Sequence, residues 1–85
     1  MPLQLLYFAW VREAIGIDGE TVEPPASADT VAALVDWLRE RGGGYAEAFA
    51  NTARLRAAID QRFVPLETPI GDAAELALFP PVTGG

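Results

Sequence analysis

The sequence predicts an α+β fold, a mixed sheet of about four to five strands packed on one main helix. Three observations predict it. Apolar, strand-like segments lie near both ends of the chain. One segment between them carries a clear helical stripe. Short strand-like runs bounded by turn residues fill the remainder.

Residues 3–11 are apolar and rich in strand formers, with Gln4 the one strongly polar side chain, and predict a central strand covered on both faces. Turn residues follow at 16–19. Residues 20–23 alternate polar and apolar and predict a second strand returning as a hairpin. After a loop at 24–27, Val31, Leu34, Val35 and Leu38 recur at i, i+3, i+4 and i+7, the stripe of an amphipathic helix. Asp29 or Thr30 supplies its N-cap. Arg39 and Arg41 fall at its C-terminal end, where positive charge suits the helix dipole. Gly42 is the expected left-handed cap. A short helix is expected over 45–50, strands over 55–59 and 62–64 about an Asp60-Gln61 turn, a loop over 68–73, and a last strand over 75–79. The first and last strands are the most apolar, so they are expected side by side at the sheet centre. Residues 1–79 are then one domain, and 80–85 an extended tail.

The tail is the feature with chemistry in it. Pro80 and Pro81 cannot donate to a strand ladder and hold φ fixed, so they lift the chain off the sheet. Six residues reach roughly 20 Å when extended. Gly84 and Gly85 have no Cβ, so such a tip fits a narrow channel and leaves its carbonyl open to attack.

Composition narrows the classes. The apolar fraction of 51% suffices for a core. Cys and His are both absent, which removes the usual thiol nucleophile and the commonest general base and metal ligand. A self-contained enzyme, a bound metal and a bound cofactor are therefore not expected. Twelve acids against six arginines give a net charge of −6, which argues against nucleic acid and favours basic protein partners. No apolar run approaches the ~18 residues of a membrane span, and a cytoplasmic location is expected.

Other residues admit two readings. Phe8, Phe63 and Phe79 each fall on a predicted strand; they either join the core or share the sheet face that the helix leaves open. Trp10 and Trp37 read as core or boundary residues, Arg12-Glu13 as a solvated pair, and Asp60 as a turn carboxylate. Gly42-Gly43-Gly44 lacks the Lys and Ser/Thr of a phosphate loop and follows a helix instead of opening one.

The segment Tyr7-Phe8-Ala9-Trp10-Val11-Arg12-Glu13, the run Leu55-Arg56-Ala57-Ala58-Ile59-Asp60-Gln61 and the ending Phe79-Pro80-Pro81-Val82-Thr83-Gly84-Gly85 together resemble the molybdopterin synthase small-subunit family of ubiquitin-related sulfur carriers. The resemblance spans the chain, and the ending is its most specific part. It implies a ubiquitin-like β-grasp fold. It implies that the Gly85 carboxylate is adenylated by an ATP-dependent adenylyltransferase resembling the ubiquitin-activating enzymes, then converted to a thiocarboxylate with sulfur from a sulfurtransferase. The tail would enter the large subunit of molybdopterin synthase and give its sulfur to cyclic pyranopterin monophosphate. The family implies docking roles for Phe8, Phe63 and Phe79 and an activating-enzyme contact for Arg12; Pro80, Pro81, Val82 and Thr83 are expected to bind the partner as well, and Gly84 with Gly85 forms the reacting tip. Asp60 stands where the family usually has Asn, and Gly71-Asp72-Ala73-Ala74-Glu75 replaces its usual acidic turn. Carriers of thiamine or tRNA thiolation share the Gly-Gly end and generally lack Phe-Pro-Pro. A passive ubiquitin-like binding module would have no use for the tail.

Overall fold

Five strands form one sheet in the order β2-β1-β5-β3-β4, with β1 Leu3–Tyr7, β2 Gly19–Val22, β3 Arg56–Ile59, β4 Arg62–Val64 and β5 Glu75–Phe79. The structure is a computed structural model and describes residues 2–81. β1 and β5 are parallel neighbours, and the other three pairings are antiparallel. β5 is the central strand, so the expectation that the first and last strands sit together holds.

Register sorts the side chains by face, because paired residues on adjacent strands point the same way. Leu5 pairs with Leu76, and Tyr7 with Leu78, which in turn pairs with Ala57. These five are buried in the core. The helix α2, Val31–Arg39, covers this face with Val31, Leu34, Val35 and Leu38, all without exposed surface. Thr30 is its N-cap, and the Thr30 hydroxyl accepts from the Ala33 amide at 3.1 Å.

Apart from one-residue shifts at β2 and β3, three boundaries differ from the sequence reading, each for a physical reason. The first strand stops at Tyr7, and residues 9–15 form a helix, α1, Ala9–Ile15. Val11 is buried, Ala14 and Ile15 pack on the core, and Gly16 closes the helix in the left-handed region at φ 97° with its amide on the Arg12 carbonyl at 2.8 Å. An unbroken apolar run reads equally as buried strand or buried helix, and Phe8 offers no capping side chain to mark the change. Gly42 is not the cap of α2, which ends at Glu40; with φ 74° and ψ −167° it introduces the next helix. That helix, α3, spans Gly43–Ala48, earlier than the expected 45–50. Its start is set by α1: a Cβ on Gly44 would lie 2.1 Å from the Ala14 carbonyl oxygen, so only glycine lets the two helices cross this closely. A 3₁₀ turn at Thr52–Arg54 then leads into β3.

Asp60 and Gln61 take φ 48° and 72°, the pair of positive values that a type I′ hairpin turn requires. Asp60 does more than turn the chain. Its Oδ1 accepts from the amides of Ala74 and Glu75 at 3.1 and 3.0 Å, and its own amide donates to the Glu75 carbonyl at 3.0 Å. The carboxylate thus ties the β3–β4 hairpin to the start of the central strand.

The covered face carries one polar cluster. The hydroxyls of Tyr7 and Tyr45 donate to Glu20 Oε2 at 2.7 and 2.6 Å, and Arg41 Nη1 donates to Glu20 Oε1 at 3.0 Å. The Arg41 guanidinium also lies over the rings of Trp37 and Tyr45, 5.3 and 5.0 Å from their centroids. Burial raises the Tyr7 phenol well above its ordinary value, and the hydrogen bond to Glu20 adds to that. Partial burial of Glu20 acts to raise its carboxyl, but the hydrogen bonds from Tyr45, Tyr7 and Arg41 outweigh it and hold the group below the usual carboxylate range.

Candidate functional site

The opposite face has no helix over it. Ala58 of β3 pairs with Ala77 of β5 and with Phe63 of β4, and Leu6 of β1 pairs with Ala77. This row is small in the middle, where two alanines form a shallow floor, and large at the β4 edge. Two residue pairs further on, and so on the same face, Phe79 of β5 is opposite Arg56 of β3. Phe8 continues the parallel ladder for one step beyond β1, its amide donating to the Leu78 carbonyl at 3.2 Å. Its backbone is extended, and its ring lines the same hollow as Ala58, Gln61, Phe63, Ala77 and Phe79.

The three phenylalanines therefore come together, and the open-face reading is the correct one for each. Phe63 is 78% exposed and Phe8 46%, while Phe79 is half-buried with its ring centroid 5.5 Å from that of Phe63. Phe8 reaches the face as the residue between β1 and α1, not from within a strand. The rings leave apolar surface in water that a partner would bury. Of the tryptophans, Trp37 packs against the core and Trp10 is an exposed boundary residue on α1.

Arg12 sits on the exposed side of α1, one turn after Phe8, against a hollow that also includes Gln4, Leu6, Asp18 and Gly19. Phe8 thus flanks the end of β5 from one side. From the other side it is flanked by Arg56, which the sequence reading did not single out. β5 ends at Phe79, and Pro80 and Pro81 follow outside the sheet. Val82, Thr83, Gly84 and Gly85, four of the residues expected to carry the chemistry, lie outside the described residues. Among the described residues, no group of three His, Cys, Asp or Glu is arranged to hold a metal ion, and no helix is long and apolar enough to cross a membrane.

The arrangement leaves an aromatic face open to another protein, and β5 ends beside that face at Phe79, with Pro80 and Pro81 outside the sheet.

Comparison with known proteins agrees with this geometry. The profile of the ThiS family matches residues 5–85. The chain belongs to the ThiS family. Within reach of it are proteins named molybdopterin synthase sulfur carrier subunit. That of Haemophilus influenzae is 39% identical over 83 residues, covering 98% of this chain and 99% of that protein. That of Mycobacterium tuberculosis is 37% identical over 86 residues, covering 100% and 99%. Two solved structures show that the fold is the ubiquitin-like β-grasp of this ThiS-family chain's neighbours. The small archaeal modifier SAMP1 of Haloferax volcanii superposes with a TM-score of 0.71 at 23% identity, covering 100% of both chains. A chain of the complex of subunits 1 and 2 of molybdopterin-converting factor from Helicobacter pylori superposes with a TM-score of 0.64 at 22% identity, also covering 100% of both.

Proposed function

We propose that this chain is the sulfur-carrier small subunit of a molybdopterin synthase, with Gly85 as the carrier atom group. The reading is carried by the sequence Phe79-Pro80-Pro81-Val82-Thr83-Gly84-Gly85, whose first residue ends the central strand beside an exposed aromatic face. Full-length likeness to curated sulfur carrier subunits supports it.

The chemistry follows from what the chain has and lacks. With no Cys, sulfur has no side chain to ride on, and a terminal carboxylate is the remaining carrier. A carboxylate is a poor acyl donor because oxide is a poor leaving group. Attack of a Gly85 oxygen on the α-phosphorus of ATP expels pyrophosphate and gives an acyl-adenylate. The terminal sulfur of a sulfurtransferase persulfide then attacks the acyl carbon and displaces AMP to give an acyl disulfide, and a thiol reductant cleaves its S–S bond to leave the thiocarboxylate. The first step belongs to an ATP-dependent adenylyltransferase. Lys is absent from the sequence, so no side-chain amine of this chain competes for the activated carbonyl.

Phe8, Phe63 and Phe79 dock on the large subunit, and residues 80–85 pass into its active site. There the thiocarboxylate transfers sulfur to cyclic pyranopterin monophosphate. This chain contributes the sulfur and the docking face, and the large subunit contributes the catalytic groups.

Reconstitution with the large subunit and cyclic pyranopterin monophosphate tests the reading. The thiocarboxylated chain yields molybdopterin. Gly84→Ala places a Cβ in the channel and abolishes transfer while leaving the thermal melt unchanged. Product formation by a chain truncated after Thr83 would contradict the proposal.

A further inference from the structure

Beside the aromatic pair lies a second hollow of about 410 Å³, lined by Arg56, Ala57, Phe63, Val64, Pro65 and Phe79. Its floor and walls are apolar, and its one charged group is the Arg56 guanidinium. That cation is held in place. Nη1 donates to the carbonyls of Ala53 and Leu55 at 3.2 and 2.9 Å. Both acceptors are neutral, and both lie on the backbone leading into β3. Nε and Nη2 have no hydrogen-bond partner among the described residues. That edge of a guanidinium is the one that takes a carboxylate with two parallel hydrogen bonds.

A shortage of acids does not explain the vacancy, since the chain has twice as many acids as arginines. Among the described residues Arg39 pairs with Asp36 and Arg41 with Glu20, while Arg12, Arg54, Arg56 and Arg62 form no ion pair; of these four, only Arg56 lines the hollow beside Phe63 and Phe79. Arg56 stands opposite Phe79, at the strand end from which the tail departs. A free anion such as phosphate would satisfy the guanidinium and leave the apolar floor wet. A protein segment satisfies both.

We propose that Arg56, Phe63 and Phe79 form a composite anchor at the root of the tail for an acidic segment of the docking partner, which sets a carboxylate on Arg56 and an apolar side chain in the hollow beside it. This rests on the docking reading above and adds to it a charge and a position. Arg56 is exposed and lies at the rim, so its contribution is to association rate and to salt dependence more than to dissociation.

The test is stopped-flow association of the full chain with the cognate large subunit at low and high ionic strength, using wild type, Arg56→Glu, Arg56→Gln, Arg56→Lys and Phe63→Ala. Arg56→Glu is expected to slow association roughly tenfold at low salt and to flatten its salt dependence. Arg56→Gln, which cannot repel an acid and serves if the reversal disturbs the fold, gives a smaller fall of the same kind. Arg56→Lys restores part of the rate as a point charge without the fork. Phe63→Ala weakens the complex at both ionic strengths through faster dissociation. Wild-type association by the Arg56 variants, with Phe63→Ala still weakened, overturns the Arg56 proposal and leaves the docking face standing. Unchanged binding by every variant overturns the docking face itself, and this proposal with it.

Discussion

The two faces of the sheet are built from alternate residues of the same strands. Along β5, Leu76 and Leu78 point into the core, while Ala77 and Phe79 point the other way. On the covered face, large aliphatic side chains fill the space beneath α2, and the polar groups of Tyr7, Glu20, Tyr45 and Arg41 are bonded to one another. On the open face, alanines floor the centre, aromatic rings stand at one end, and the neighbouring Arg56 has half its guanidinium unengaged. Satisfied packing on one side and unsatisfied surface on the other separate the part of the molecule that folds from the part proposed to dock. Substitutions on the two faces should therefore register in different experiments.

The largest expected effect is on the covered face. Leu78→Ala removes a fully buried side chain at the centre of the sheet and should cost about 3 kcal/mol of stability, read by chemical denaturation. A loss under about 1 kcal/mol would mean that the core collapses around the gap. Gly44→Ala should follow, at roughly 2 kcal/mol, because its Cβ meets backbone of α1 and not a mobile side chain.

Glu20→Gln should cost roughly 1 kcal/mol near neutral pH, since the carboxylate accepts three hydrogen bonds that an amide oxygen accepts less well. Its sign with pH is fixed. The folded carboxyl lies below its unfolded value, so the stability it contributes is present above that unfolded value and is lost as pH falls through the folded one. The wild-type advantage over Glu20→Gln should shrink as the solution is acidified. A difference that stays constant with pH would assign the effect to packing.

The smallest stability effect belongs to the open face. Phe63→Ala should change the unfolding free energy by no more than about 0.5 kcal/mol, because the ring is largely in water already. The same variant should cost about 2 kcal/mol in binding the large subunit if Phe63 is an anchor. Equal losses in folding and binding would erase the distinction between the faces.

How much of this could be read from the sequence depended on how local the cause was. The stripe of α2 and its Thr30 cap are contained in nine or so consecutive residues, and strand β5 was bounded on both sides by turn and proline signals. The start of α1 was not legible, because Phe8 ends a strand without any change in polarity. Nor was the start of α3, because what requires glycine at 44 is close contact with Ala14, thirty residues away. At the site, the identity of the three phenylalanines was legible from family resemblance, but their convergence follows from a parallel pairing of chain ends that no local pattern states. Arg56 went unnoticed for the same reason: only the register of β3 against β5 sets it opposite Phe79. The role of Asp60 likewise exceeds that of a turn residue because β5 begins beside it.

The central claim is that Gly85 carries sulfur, and the most direct measurement is the intact mass of this chain after incubation with the proposed adenylyltransferase, ATP and a sulfurtransferase supplied with sulfur. The account predicts a gain equal to one sulfur in place of one oxygen, mapped by fragmentation to Gly85 and lost when Gly84-Gly85 is removed. An unchanged mass, with the same adenylyltransferase active on another carrier, would contradict it.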